Sequence, residues 1–158
     1  MTTRSRGQVH AVFGRFAHLT DGARRDSLWC ALFDTGCCAV GLTPTSAGYG
    51  LELPAPVDIT HADVMIVSGP VNAKLAHELR DAYDAMPYPK WVIALGDCAC
   101  DAGRFAGYPN AVTDLAKVVP VDVRLPGCPL SDEDVRSALE RLRVLMDHKM
   151  EARSAGRR

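Results

Sequence analysis

The residues with the greatest chemical capacity in this 158-residue chain are its six cysteines, Cys30, Cys37, Cys38, Cys98, Cys100 and Cys128. A thiolate is both a nucleophile and a soft metal ligand. Four in one place hold an iron–sulfur cubane or a structural zinc ion. The usual zinc signature is a pair of short C-x-x-C knuckles; none is present, and Cys98-Ala99-Cys100 is too tight to form one. The surroundings of Cys37, Cys38, Cys98 and Cys128 suit a cluster. Gly36, Gly96 and Gly127 let the backbone come close to a bound group. Pro126 and Pro129 fix φ on either side of Cys128, so a stiff loop is expected there. Backbone amides near the sulfurs can donate hydrogen bonds that raise a cluster's potential. Adjacent residues of an extended strand face opposite sides, so Cys37 and Cys38 can serve one centre only where the chain turns sharply. Local backbone strain is expected at this pair. Cys30, within an apolar run, reads as a small buried hydrophobe, and Cys100 as a spare thiol or an alternative ligand. On spacing alone, a cluster, a zinc site and inert buried cysteines all stay open.

The other polar residues carry weaker signals. His10, His18, His61, His77 and His148 are scattered without metal-ligand spacing and read as surface histidines. There is no G-x-G-x-x-G and no Walker A sequence, so neither NAD nor ATP is expected to bind. No catalytic residue is assigned. Asp97 and Asp101 flank Cys98 and form either an acid pair or, the better reading, solvated loop caps. Arg24, Arg25 and Arg104 are candidate subunit contacts or solvated surface. Asp122 lies on an otherwise apolar strand and needs a partner there, because an unpaired buried carboxylate is costly.

Strands and helices must bring these residues together. Apolar residues make up 47% of the chain and charged residues 23%, with a net charge of −1, the balance of one ordinary globular domain. No basic stripe marks a nucleic-acid partner. Arg4 and Arg6 are followed by no apolar stretch of signal-peptide length, so a cytoplasmic location and reduced thiols are expected. Residues 1–26 read as an arm with a short helix, 27–148 as the α/β domain, and 149–158 as a frayed basic tail. Buried strands are predicted over Ser27–Phe33, Val64–Val67, Trp91–Leu95 and Val118–Leu125, and a loop over residues 43–60. Asn72 caps a helix whose apolar face is Leu75, Leu79, Ala82, Tyr83 and Met86. Ser131 and Asp134 form a capping box for a last helix facing inward through Val135, Leu139, Leu142 and Leu145. Strand–helix alternation predicts a mostly parallel sheet with helices on both faces. Ligands of such sheets bind beyond the carboxyl ends of the strands. Three predicted strands end at Cys37/Cys38, Cys98 and Cys128, which would carry four thiols to one edge.

Several ordered motifs add a family resemblance over most of residues 23–146. Ala23-Arg24-Arg25-Asp26-Ser27-Leu28-Trp29 is followed by the tandem Cys37-Cys38. His61-Ala62-Asp63-Val64-Met65-Ile66-Val67-Ser68-Gly69 resembles "ADVMIVAG", and Met86-Pro87-Tyr88-Pro89-Lys90-Trp91-Val92-Ile93 resembles "MPEPKWVI". Leu95-Gly96-Asp97-Cys98-Ala99 is similar to "MGSCA". Val119-Pro120-Val121-Asp122 and Pro126-Gly127-Cys128-Pro129 are similar to "VPVD" and "PGCPP". The chain thus resembles the B subunit of NADH:quinone oxidoreductase (complex I) and the small subunit of group 4 membrane-bound [NiFe]-hydrogenases.

The resemblance implies a flavodoxin-like α/β domain with a [4Fe–4S] cluster on Cys37, Cys38, Cys98 and Cys128. It implies electron transfer between a neighbouring ferredoxin-like iron–sulfur subunit and a large subunit that carries the quinone site or the nickel–iron centre. The same likeness implies membrane subunits as further partners and a peripheral position on the inner face of the cell membrane. Such a subunit belongs to an oxidoreductase complex and is not catalytic alone. The sequence also departs from the pattern. Gly41 stands where the family has a glutamate, Leu130 replaces a proline, and Asp101-Ala102-Gly103-Arg104 replaces a more glycine-rich stretch. Residues 42–60 are shorter than usual. The tandem pair favours the complex I branch, while Cys100 favours the hydrogenase branch. The lost glutamate motivates the alternative of a structural subunit with a redox-silent or altered metal site. A free-standing redox protein is the other alternative. Because metal affinity is coupled to folding, loss of a ligand is expected to cost stability as well.

Overall fold

The computed structural model describes residues 11–16, 29–38, 51–52 and 59–155. Gly41, Arg24, Arg25, His10, His18, most of the 43–60 loop and the motif before Trp29 lie outside the described residues. The strands are β1 (Ala11–Phe16), β2 (Trp29–Asp34), β3 (Leu51–Glu52), β4 (Val64–Ser68), β5 (Trp91–Leu95) and β6 (Val123–Leu125). The helices are α1 (Ala73–Ala85), α2 (Asp97–Asp101) and α3 (Asp132–Ala155), with single 3₁₀ turns at Ile59–His61, Gly103–Phe105 and Leu115–Lys117. One sheet runs β3-β1-β2-β4-β5-β6. Its four strands β2, β4, β5 and β6 are mutually parallel, whereas β1 is antiparallel to both β2 and β3. The architecture is the α/β, flavodoxin-like one expected, mostly parallel and covered on both faces.

The coverage follows from strand alternation. Every residue of β4 and β5 is buried, as parallel strands sandwiched between helices require. Met65, Val67, Val92 and Ala94 face one side, where they pack with Leu75, Leu79, Tyr83 and Met86 of α1 and its C-cap, and with Ala99 and Cys100 of α2. Val64, Ile66, Trp91, Ile93 and Leu95 face the other, where Ala138 and Leu142 of α3 close the layer. Asn72 caps α1 by accepting from the Leu75 amide at 2.9 Å. At the start of α3 the Ser131 amide and hydroxyl donate to Asp134, whose own amide donates back to the Ser131 hydroxyl. Both expected caps are present, and the described histidines are exposed.

The structure adds to or alters three expectations. Within the arm, residues 11–16 form strand β1, whose backbone pairs with β2 from Ala11↔Phe33 to Arg15↔Trp29; the rest of the arm, with the short helix expected in it, lies outside the described residues. The basic tail continues α3 to Ala155, with Lys149 reaching Asp122 at 2.8 Å and lying 4.6 Å over the Trp91 ring. The strand predicted over Val118–Leu125 begins only at Val123. Val118 is helical, as the cap of a 3₁₀ turn, and Pro120 has no amide to give a ladder. Asp122 joins that strand to β5 instead: its carboxylate accepts from the Val92 amide at 3.0 Å and its own amide donates to the Val92 carbonyl at 2.9 Å. These bonds and Lys149 are the partners its position demanded.

Candidate functional site

The register sets the edge. Asp34, Ser68 and Leu95 are partners in one row, and Leu125 pairs with Leu95. The residues that follow β2, β5 and β6 are therefore Thr35-Gly36-Cys37-Cys38, Gly96-Asp97-Cys98 and Pro126-Gly127-Cys128, all leaving the same edge at the same height. Cysteine-bearing loops from three segments distant in sequence leave one edge because three parallel strands stop level.

Contacts in three places tie these loops to one another and to the end of β4. The Thr35 amide and hydroxyl donate to the Ser68 carbonyl at 2.9 and 2.7 Å, and the hydroxyl also reaches the Pro70 carbonyl at 3.1 Å. This ties the Cys37 loop to the end of β4, where Gly36 and Gly69 touch so closely that a methyl on Gly36 would lie 2.8 Å from the Gly69 Cα. On the other side the Gly127 amide donates to the Asp97 carboxylate at 2.7 Å, the Asp97 amide donates to the Gly127 carbonyl at 3.2 Å, and the Gly96 amide donates to the Leu125 carbonyl at 2.8 Å. In the middle, Gly96 leaves its Cβ space to Cys38, whose sulfur would stand 2.7 Å from a methyl placed there.

The tandem pair turns without the strain expected of it. Cys37 and Cys38 begin a helical turn, which places neighbouring side chains about 100° apart rather than opposite. Among the described residues the one non-glycine at positive φ is Ala102. Cys37 and Cys128 are exposed, while Cys38 and Cys98 are half-buried. Burial pushes the Cys38 thiol up to about 11, and the neighbouring Cys37, Cys128 and Cys98 push the same way. The Cys98 thiol is also raised, first by burial and then by Cys128, Cys37 and Asp97, against the Arg104 backbone amide that donates to its sulfur. The four thiols lie within one another's fields. Thiolates gathered this way repel, and the positive charge of bound metal relieves the repulsion. Four thiols lying within one another's fields are the donor set an iron–sulfur group takes. Among the described residues no three His, Cys, Asp or Glu side chains close on a point that a single metal ion would fill.

The remaining cysteines lie apart. Cys100 is buried and its sulfur donates to the Ala94 carbonyl at 3.7 Å, within the α1 side of the core; burial raises its thiol. Cys30 is buried on the α3 side, as a small hydrophobe would be. Asp97 and Asp101 form no acid pair: Asp97 holds Gly127, and Asp101 accepts from the Gly103 amide at 2.9 Å as a loop cap. The Arg104 side chain is exposed. Sequence reasoning missed the stitching by Thr35 and Asp97 and the donation from the Arg104 amide. The available signal was position: each is a polar or post-glycine residue beside a cysteine loop.

Residues 33–142 match the family described as NADH ubiquinone oxidoreductase, 20 Kd subunit. The B subunit of NADH-quinone oxidoreductase from Heliobacterium modesticaldum is 35% identical, across 90% of this chain and 87% of the relative. The corresponding B subunits of Nocardia farcinica and Desulfovibrio desulfuricans are 40% and 38% identical, across 79% and 87% of this chain and 70% and 76% of their own lengths. Among solved structures, a chain of the membrane-bound sulfane sulfur reductase, an archaeal respiratory membrane complex, superposes with a TM-score of 0.70 at 29% identity, covering 80% of this chain and 73% of that one. The matched span runs from the last strand before the tandem cysteines to the middle of α3, and so contains the whole carboxyl edge of the sheet. On that extent of likeness, the chain belongs to the NADH ubiquinone oxidoreductase 20 kDa subunit family of oxidoreductase-complex subunits.

Proposed function

We propose that this chain holds one [4Fe–4S] cluster through Cys37, Cys38, Cys98 and Cys128 and serves as an electron-transfer subunit of a membrane-associated, complex I-like oxidoreductase. The observation that carries the reading is the level ending of β2, β5 and β6, which delivers the four thiols to one edge. When bound, the cluster supplies a one-electron carrier. The protein's own work is to fix four sulfurs on three stitched loops, to tune the site through the Arg104 amide at Cys98, and to set burial unequally among the ligands. A ferredoxin-like iron–sulfur subunit is the proposed electron partner on one side and a large quinone-site or nickel–iron-type subunit on the other. Membrane subunits of the same complex are the proposed anchor; among the described residues no helix is long and apolar enough to cross a membrane. The chain's relatives are named as B subunits of quinone oxidoreductases, which supports the quinone-linked branch.

Anaerobic purification followed by iron and acid-labile sulfide analysis tests the cofactor, with about four of each per chain expected for a cubane. Redox-titrated EPR of the assembled complex tests the role. A signal that appears and disappears over one potential step supports electron transfer. Stoichiometric zinc without sulfide, or a cluster whose signal is unchanged across a wide potential range, leaves only the structural-subunit reading.

A further inference from the structure

We propose that Asp97 is a positioning residue: its carboxylate clamps the Cys128 loop to the Cys98 loop and holds a negative charge next to Cys98. The second half rests on the proposed cluster; the first does not. Asp97 and Gly127 are the residues immediately before Cys98 and Cys128, and they are joined twice. The Gly127 amide donates to the Asp97 Oδ1 at 2.7 Å, and the Asp97 amide donates to the Gly127 carbonyl at 3.2 Å. Two bonds between the same pair fix both the separation and the rotation of the loops. Gly103 packs against the base of the side chain, where a methyl would meet the Asp97 Cβ at 3.2 Å. An amide-to-carboxylate bond is charge-assisted and shorter than a neutral one, in keeping with the 2.7 Å observed.

The charge has its own consequence. Asp97 immediately precedes Cys98, and its bond to the Gly127 amide keeps the carboxylate fixed next to that residue. Each electron delivered to a metal site there adds negative charge, which a fixed carboxylate opposes, so Asp97 lowers the reduction potential. A residue serving only as a mechanical cap would not move the potential when replaced by an isosteric neutral one.

The test uses the full-length chain as wild type, Asp97→Asn and Asp97→Ala. In the metal-free, reduced chain, exchange of the Gly127 amide is followed by NMR. Asp97→Ala is expected to speed it by roughly tenfold or more, the loss of one charge-assisted bond. Asp97→Asn keeps a carbonyl acceptor and stays near wild type. In the reconstituted chain, redox-titrated EPR is expected to show a higher midpoint potential for Asp97→Asn at unchanged iron and sulfide content. Unchanged Gly127 exchange in Asp97→Ala overturns the clamp, and equal potentials in wild type and Asp97→Asn overturn the electrostatic role. Should Asp97→Ala fail to fold, Asp97→Ser, shorter and neutral, carries the exchange comparison. If wild type takes up no iron and sulfide, the cluster reading fails and takes the electrostatic half with it, while Gly127 exchange still decides the clamp.

Discussion

A methyl group on Gly96 would meet the Cys38 sulfur at 2.7 Å, and the backbone there has φ 84° and ψ 160°. That region is essentially reserved for glycine and costs other residues on the order of 1–3 kcal/mol. Gly96→Ala therefore acts twice, straining the loop and driving Cys38 from its place. The expected outcome is a folded chain with a lowered melting temperature and less than half the wild-type iron, read by CD and metal analysis; full iron content would show that Cys38 can shift without leaving the ligand set. The cysteines divide in the same assay. Serine at Cys37, Cys38, Cys98 or Cys128 should remove the cluster. Alanine at Cys100 should retain it and cost about 1 kcal/mol of stability, because that sulfur packs against Ala94 in the core. Iron lost from Cys100→Ala would move this thiol into the site.

Asp134 shows how a helix end answers to pH. Hydrogen bonds from the Ser131 hydroxyl and amide hold its carboxyl below the ordinary carboxylate range. A depressed folded value favours the charged form, so the stabilisation is complete above the free carboxylate value near 3.9 and is lost as pH falls through the lower folded one. The first turn of α3 should fray in that acid window, and Asp134→Asn should flatten the change; amide exchange at the start of α3 between pH 5 and pH 2 reads it. This box was legible because both partners lie three residues apart before an apolar run. The Asn72 cap, β4, β5 and the inward faces of α1 and α3 were legible for the same reason, each being fixed by neighbours in the chain. What escaped was set by distance. Strand β1 forms because Ala11–Phe16 pairs with β2, a partner across a long connection, and its alternation of small, apolar and charged residues carries little signal. Val118–Asp122 reads as strand by composition, yet Pro120 and the Leu115–Lys117 turn prevail. Of the site, the thiols were visible and their stitching was not, since Asp97 and Gly127 stand thirty positions apart and only the level strand ends bring them together.

The core touches the site only at its rim, through Ala99 and Cys100 beside Cys98 and through Leu130 beyond Cys128. Most of both apolar layers comes from the strands, α1 and α3, and the cysteine loops begin beyond the row of Asp34, Ser68, Leu95 and Leu125. A fold whose apolar layers rest mainly on residues away from its edge should survive the loss of what the edge holds. It should nevertheless be less stable, because a group that binds only the folded chain adds stability by mass action. Chelation under reducing conditions is therefore expected to leave the far-UV CD spectrum intact while lowering the melting temperature. At this chain length each kcal/mol lost corresponds to roughly 2–4 °C. The opposite result, a cooperative loss of helix and strand signal as iron leaves, would mean that the three stitched loops hold the sheet together instead of resting on it.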